Sequence, residues 1–461
     1  YDGSSRFAKG MRYGFFPSVS AGWRMSEEAW FAPAKNIVSN LKIRASYGKL
    51  GNNEVGDYDY IQTITSGASI DYIFGGTNKA AGAAVSAPNA SDYSWEVVTS
   101  SNIGLDIAFL QNRLTFSGDA YIRDTDGMLM AMADLPSVYG ASAPKSNAAS
   151  LRSKGWEFVI EWKDRFMIAG RSFHYSVSAS LADYISHVRH YNNDNHTLGT
   201  PYTGQRLGEM WGYVVDGYFQ SEEEIANHPI DQSYVNNMIN ECVIDKGLHP
   251  GDLKFVDMDG DKVISPTLSA KNVKDMVVIG NSLPRFTHTV RLSAAYAGFD
   301  LSLLFNGVGY QNWYPRGDTG LFWGNYSRPF QTYIPGDFAE KIWTEDNPNA
   351  YFPRPRGYVA FNSGVRELNV VNTKYIQNVA YFRLKNLTFG YSLPEKWLKK
   401  INIEKVRLYF SGENLFTVSP LESKYIDPAM AGATTTWKTG NTDCYGYPTA
   451  RAYSFGLDII F

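Results

Sequence analysis

Cysteine is almost missing: Cys242 and Cys444 are the two in 461 residues. Two thiols build neither a disulfide scaffold nor a Cys-based zinc site. They could still pair with each other in an oxidising compartment. No run of about 18 apolar residues occurs, which excludes a transmembrane helix. Charge is scarce and balanced, 43 Lys and Arg against 46 Asp and Glu, for a formal net charge of -3. Neither a basic footprint for nucleic acid nor an acidic tail is therefore present. Enzyme signatures are lacking too. The stretch GKLGNN (48–53) has no Lys-Ser/Thr ending of a phosphate loop, and no nucleophile motif or dinucleotide fingerprint is found. We expect no enzyme and no required cofactor.

What is abundant is aromatic: 31 Tyr and 11 Trp, with 15% of residues Phe, Trp or Tyr. Tyr and Trp gather where one end of the ring is dry and the other wet. A second pattern runs from end to end. Tyr13, Phe15, Val19, Ala21 and Trp23 fall on alternate positions, as do Leu41, Ile43, Ala45 and Tyr47. The chain closes the same way, on Tyr453, Phe455, Leu457, Ile459 and Phe461. Between these limits come Ile103–Phe109, Leu114–Ile122, Trp156–Trp162, Phe173–Leu181, Phe286–Tyr296, Phe299–Phe305, and two less clean runs near 381–391 and 405–414. Period two is the signature of a strand with two unlike faces. We count about eleven strands, many of the 9–11 residues a tilted strand needs to cross a bilayer.

The connections carry the class. Those after odd-numbered strands are short: LQN, the nine residues KDRFMIAGR, AG, and two turns of helical look, SEEAWFAPAKNIV and LPEKWLKKI. Those after even-numbered strands are long, near 51–93, 125–151, 183–285, 307–378 and 415–450. A soluble sandwich has no reason to segregate loop length by parity. A membrane barrel does, with short periplasmic turns and long extracellular loops. The polar face is rich in Ser, Gly and Thr, fitting a wet inside, and the apolar face fits lipid with aromatic belts. An all-β, transmembrane antiparallel barrel is the expected fold. Eleven strands cannot close with bare edges in hydrocarbon, so residues 1–461 are expected to be the C-terminal part of one larger barrel domain, with further strands ahead of Tyr1.

Several stretches then point to one family. FFPSVSAGWRMSEEAWF, LKIRASYGKLGN, KGWEFVIEW, PGDLKFVDMDGDKVI, IGNSLPRFTHTVRLSAAYAGFDLSLLFNGVG, SGENLFTVSP and YPTARAYSFGLDIIF follow in order along almost the whole chain. In these the chain resembles the C-terminal half of the SusC/RagA family, the TonB-dependent outer-membrane transporters of Bacteroidetes. The resemblance implies a 22-stranded barrel with an N-terminal plug and a TonB box, in the outer membrane of a Gram-negative bacterium. It implies import of glycan oligomers or peptides under a SusD-like surface lipoprotein that closes as a lid. Coupling to the TonB complex would run through the N-terminal part. It also implies that the terminal Phe461 belongs to the signal read by the assembly machinery.

Residue clusters in the loops are candidates for contact. Trp211, Trp313, Tyr314, Trp323 and Tyr326 stand with Arg328, and the loops also hold Trp343 and Trp437, with Arg316, Arg354 and Arg356 interleaved. Aromatic faces stack on sugars and also dominate protein interfaces. The first six are the expected substrate contacts; the plain alternative is that such rings pack the loops together. Asp257, Asp259 and Asp261 alternate as at the start of a calcium loop, but Lys262 stands where Gly belongs and Leu268 where Glu belongs. A tight Asx-rich turn and a Ca2+ site are both open. His187, His190 and His196 lack a ligand partner and read as polar loop. On the wet face, Lys42, Arg44, Arg123 and Arg291 would be balanced across the lumen by Glu157, Glu161 and Asp300, with pairing inside the wall or against a plug the plainer account. The function expected is active import of oligomers, glycan ahead of peptide. The rivals are a passive porin-like channel and a secreted β-sheet binding module.

Overall fold

The computed structural model describes residues 1–58, 60–74, 78–85, 94–131, 145–236, 247–315, 319–327, 334–356, 367–399, 403–431 and 449–461. Cys242, Cys444, Arg316, Arg328 and Trp437 lie outside these residues. One antiparallel sheet of eleven strands dominates. Its members are β1 (Ser18–Arg24), β2 (Val38–Asn52), β3 (Glu96–Phe109), β4 (Leu114–Ala131), β5 (Lys145–Ile168) and β6 (Arg171–His190). They continue as β7 (Arg285–Tyr296), β8 (Phe299–Tyr310), β9 (Tyr381–Ser392), β10 (Lys405–Val418) and β11 (Ala452–Ile460). Each strand pairs with the next in sequence, from β1 at one edge to β11 at the other. The count and the parity of the connections are those the period-two runs imply.

Two expectations need correction. β5 has 24 residues and β6 has 20, well beyond the 9–11 needed to span a bilayer. The reason is chemical: the alternation continues with charge in place of apolar side chains. Arg152 on β5 holds Asp124 on β4 at 2.6 Å, and Arg189 on β6 lies 3.6 Å from the same carboxylate. The turn between β5 and β6, expected to take nine residues, takes two. Ala169 and Gly170 have φ of 47° and 77°, the left-handed pair that matches hairpin twist.

The chain forms two compact units. The first holds Tyr1–Ile107, Ser117–Trp156 and Tyr184–Leu207. Its face assignment is fixed by close approach. A Cβ on Gly155 would sit 2.5 Å from the Tyr121 ring and 2.9 Å from Tyr184, so these three share one face and Trp156 the other. On the polar face Arg44 bonds Asp106 and Asp119, each at 2.8 Å. Gly104 makes room, because a Cβ there would meet Asp119 at 2.5 Å and Arg44 at 2.7 Å. The balance for Arg44 thus comes from neighbouring strands of the wall, not from Glu157, Glu161 or Asp300. On the opposite face Val19, Trp23, Ile43, Tyr47 and Ile103 are exposed.

The second unit holds Ala108–Phe116, Glu157–Asp183 and Gly208–Phe461. Here Asp300 pairs with Arg407 at 2.6 Å, and Arg407 reaches Asp458 at 3.3 Å, again along the wall. Phe299, Phe389, Leu408 and Phe455 stand exposed on the other face. The main buried apolar cluster draws its members from residues 213–431, in the long connections around and between β7 and β10. None of them comes from the outward face of the sheet, among the described residues. Trp156 and Phe158 are half-buried and Ile160 is exposed, with no second sheet interlocked on them among the described residues. A water-soluble sandwich would bury that face; this sheet leaves it for another apolar medium.

Candidate functional site: the loop body

The loops of the second unit are not slack connections. Glu209–Tyr213 pairs with Met276–Asn281, Val215–Tyr218 with Leu253–Phe255, and Asn312–Trp313 with Gln377–Asn378. These short ladders satisfy backbone groups that burial would otherwise leave unpaired. Rings fill the space between them. Phe322 and Trp323 meet edge to face at 4.9 Å, as do Trp323 and Tyr375, and Phe338 stacks on Phe352 at 4.8 Å.

This packing redistributes the expected contact residues. Trp323 and Tyr326 are 0% exposed and Tyr314 8%. Their polar ends are also committed. Trp323 Nε1 donates to Pro315 O at 3.0 Å, Tyr314 OH to Leu368 O at 2.9 Å, and Tyr326 OH to Pro353 O. All three are framework of the loop body and present no open ring face. The aromatic composition said nothing of which rings are enclosed. Trp211 and Trp313 are half-buried. Trp211 Nε1 donates to Glu209 at 2.9 Å, and Trp313 leans edge-on to Phe322 at 6.4 Å.

Asp252, Glu367 and Lys374, which the sequence reading passed over, sit inside the same body. Asp252 is fully buried and pairs with Arg356, whose Nε lies 2.8 Å from it. Glu367 is buried beside them and accepts the Leu253 N–H at 2.7 Å. Burial, then the neighbouring Asp252 carboxylate, pushes the Glu367 carboxyl up to about 8. Lys374 lies over the rings of Tyr218 at 4.8 Å and Tyr351 at 5.8 Å, and burial lowers its pKa. The signal for these groups was weak: isolated acids and a lysine in an aromatic-rich stretch.

The aspartate loop is well defined. Asp257, Asp259 and Asp261 bring carboxylate oxygens within 4.8 Å of one another. Asp257 accepts the N–H groups of Gly260 at 2.7 Å and Lys262 at 2.8 Å, and Lys262 takes a φ of 67° where glycine would be at ease. The space a cation would need is contested. The Lys274 ammonium bonds Asp259 and lies 3.1 Å from Asp261. Leu268 brings no oxygen and is 71% exposed. The residues as placed fit an internal ammonium better than a hard divalent ion. His196 stacks on Tyr202 at 5.0 Å and His187 forms a backbone bridge with Arg206; neither belongs to a metal-capable cluster among the described residues.

A model described as "TonB dependent receptor-like, beta-barrel" matches residues 1–415. The chain belongs to the TonB-dependent receptor β-barrel family. TonB-dependent receptor P3 of Formosa agariphila is 29% identical over the whole of this chain, which spans 43% of that relative. TonB-dependent receptor SusC of Bacteroides thetaiotaomicron is 27% identical, again over the whole chain, covering 41% of SusC. Among solved structures, the RagAB peptide importer in its open-open state shares the fold with a TM-score of 0.68 at 20% identity. That match takes in 99% of this chain and 44% of the other. The chain therefore spans less than half the length of the relatives it matches. Membership explains the exposed apolar face: in a TonB-dependent receptor of the outer membrane it is the side turned to lipid.

Proposed function

We propose that the protein is an active importer of oligomeric nutrients, glycans ahead of peptides, driven by the TonB complex. The proposal includes a SusD-like surface lipoprotein as the lid over the loop body. One observation supports it most: a wall with its apolar face outward carries, at the end with the long connections, a packed body of loops. A passive pore needs the wall but has little use for a body with its own aromatic core. The partly exposed Trp211 and Trp313 are the proposed substrate contacts of that body, Trp211 oriented by Glu209 and Trp313 packed against Phe322 of the enclosed cluster. The aspartate loop is proposed to be held by Lys274 without a resident metal.

Uptake of labelled oligosaccharides by cells with and without a working TonB complex tests the reading. Accumulation that stops when TonB is removed supports it; unchanged flux makes the protein a passive channel. A barrel also resists unfolding until boiled, so unheated and boiled samples should run differently on a gel. Extraction without detergent and no such shift would return the protein to a secreted β-sheet module.

A further inference from the structure

The long-loop end of β9 and β10 carries a cavity of about 420 Å³, within the range of small-ligand pockets. It opens on the polar face. Phe382 stacks on Phe305 at 5.1 Å and Phe416 lies 6.3 Å from the same ring, so their sequence neighbours Arg383 and Thr417 point the other way. Arg383, Thr417, Lys424, Tyr425, Asp427 and Arg451 line it. Beneath them Leu421 and Ile426 are buried, 8% and 4% exposed, and offer no apolar opening.

The hydrogen-bonding balance of the pocket is one-sided. Its acceptors are already used. Asp427 takes bonds from Arg383 Nη2 and from the Ala429 N–H at 3.0 Å. Burial works to raise its pKa, but the Thr449 hydroxyl, Arg383 and that N–H together hold it below the usual carboxylate range. Thr417 accepts Arg383 Nε at 2.8 Å. The hydroxyls of Ser419 and Ser423 donate into the loop, to Ala380 O at 2.7 Å and Leu321 O at 2.9 Å. What is left is donors. Neither the Lys424 ammonium nor the Arg451 guanidinium makes a hydrogen bond or ion pair among the described residues. Three cations, Arg383, Lys424 and Arg451, face the single carboxylate of Asp427. An excess of two positive charges, with donors free and acceptors filled, selects a ligand rich in acceptors and negative charge.

We propose that this pocket binds an acidic unit, carboxylated or sulfated, of an oligosaccharide. Tyr425, which lines the pocket and is 45% exposed as a residue, supplies an aromatic side chain of the kind that packs on the C–H side of a sugar. A peptide with apolar side chains would ask instead for an apolar opening to take them. The proposal deepens the importer reading by naming its substrate class, yet the binding step stands apart from energised transport.

The test uses the purified full-length receptor in detergent. Binding of hexagalacturonate, of its fully methyl-esterified neutral form, and of hexaglutamate is measured by calorimetry for the native protein and for a Lys424→Gln, Arg451→Gln double variant. The acidic sugar should bind at least tenfold more tightly than the neutral one, the double variant should lose that margin, and Lys424→Arg with Arg451 intact should keep it. Tighter binding should also weaken as salt rises. Equal binding of acidic and neutral sugar, no binding by any of the three probes, or a margin that survives the double variant overturns the subsite. Hexaglutamate bound as tightly as hexagalacturonate, and lost in the same variant, overturns the sugar class in favour of acidic peptide. The gel shift of unheated samples shows that each variant is folded. Failure of TonB-dependent uptake would sink the importer reading without moving these binding ratios.

Discussion

Trp323 and Phe389 are both large aromatic side chains, yet the first is 0% exposed and the second 45%. Trp323 belongs to the loop body, where water lies outside and a ring gains by leaving it. Phe389 belongs to β9, stacked with Phe299 across the ladder at 5.8 Å, on a face that meets no protein core. The same physical preference, apolar with apolar, therefore turns side chains inward in one region and outward in the other. The solvent differs, not the rule. Backbone hydrogen bonds follow the same division. The wall satisfies them by strand-to-strand ladders from β1 to β11, interrupted by bulges at Leu304/Phe305 and Leu384/Asn386, while the loops use two- to six-residue ladders and side-chain acceptors such as Glu367.

The comparison breaks most visibly at Trp323. Trp323→Ala removes the ring at the centre of the cluster and should cost the loop body roughly 3–5 kcal/mol. Hydrogen exchange should show the loss in residues 209–281 and 312–378, with the sheet strands unmoved. Equal loss of protection in β7–β10 would mean that wall and loops are one cooperative unit.

A charge on the wall comes next. Leu303 sits mid-strand in β8, opposite Leu292 and Leu387. Leu303→Arg should destabilise the protein in bilayers by about 2–4 kcal/mol, the cost of a cation near the midplane on a lipid face. Ser302→Arg, one residue away on the wet face, should cost little. Denaturant titration in lipid vesicles reads both, and a similar cost for the two would assign the faces wrongly.

The wall could be read in advance because its information is local. Each strand repeats every two residues, and Ala297 and Gly298 mark a tight turn by type alone. The lengths of β5 and β6 were missed because charge replaced apolar residues without stopping the ladder. The loop body was not legible in this sense. Its contacts join residues far apart in sequence, such as Tyr218 OH to the Tyr351 carbonyl across 133 positions, and no period announces them. A composition rich in Trp and Tyr suits an open binding surface and a closed core equally. Trp323 and Tyr326 proved to be core. The pocket at Arg383 escaped notice because its lining comes from β9, β10, the residues 419–428 that follow β10 and the residues just ahead of β11.

Acid and base sharpen the contrast further. Glu367 has a folded pKa near 8, above its ordinary 4.5. Its contribution is complete below about 4.5 and is lost as pH rises through about 8, since the folded loops hold the proton more tightly than the unfolded chain. Asp252, Arg354 and Arg356 are the charges that face it. Protection of the loop body should therefore fall between those limits, while the wall stays level. Glu367→Gln should flatten the curve. A loop body whose exchange rates, corrected for intrinsic chemistry, do not change over this range would remove Glu367 from the argument.

The smallest effect concerns the aspartate loop, where stability is held by local turns. Four backbone N–H groups, of Gly260, Asp261, Lys262 and Val263, already bond the three carboxylates. Lys274 adds a cation from 15 residues beyond Asp259 and 13 beyond Asp261. Removing it in Lys274→Gln leaves those turns intact, so the melting temperature should barely move in the absence of metal. What should change is the response to Ca2+. The native protein, with an ammonium between Asp259 and Asp261, should show no shift on adding Ca2+ or a chelator. The variant, with three bare carboxylates within 4.8 Å, should gain a Ca2+-dependent rise. A native protein that melts lower in chelator would show that the ion displaces Lys274, and the loop would then join the metal-binding turns it departs from at Lys262 and Leu268.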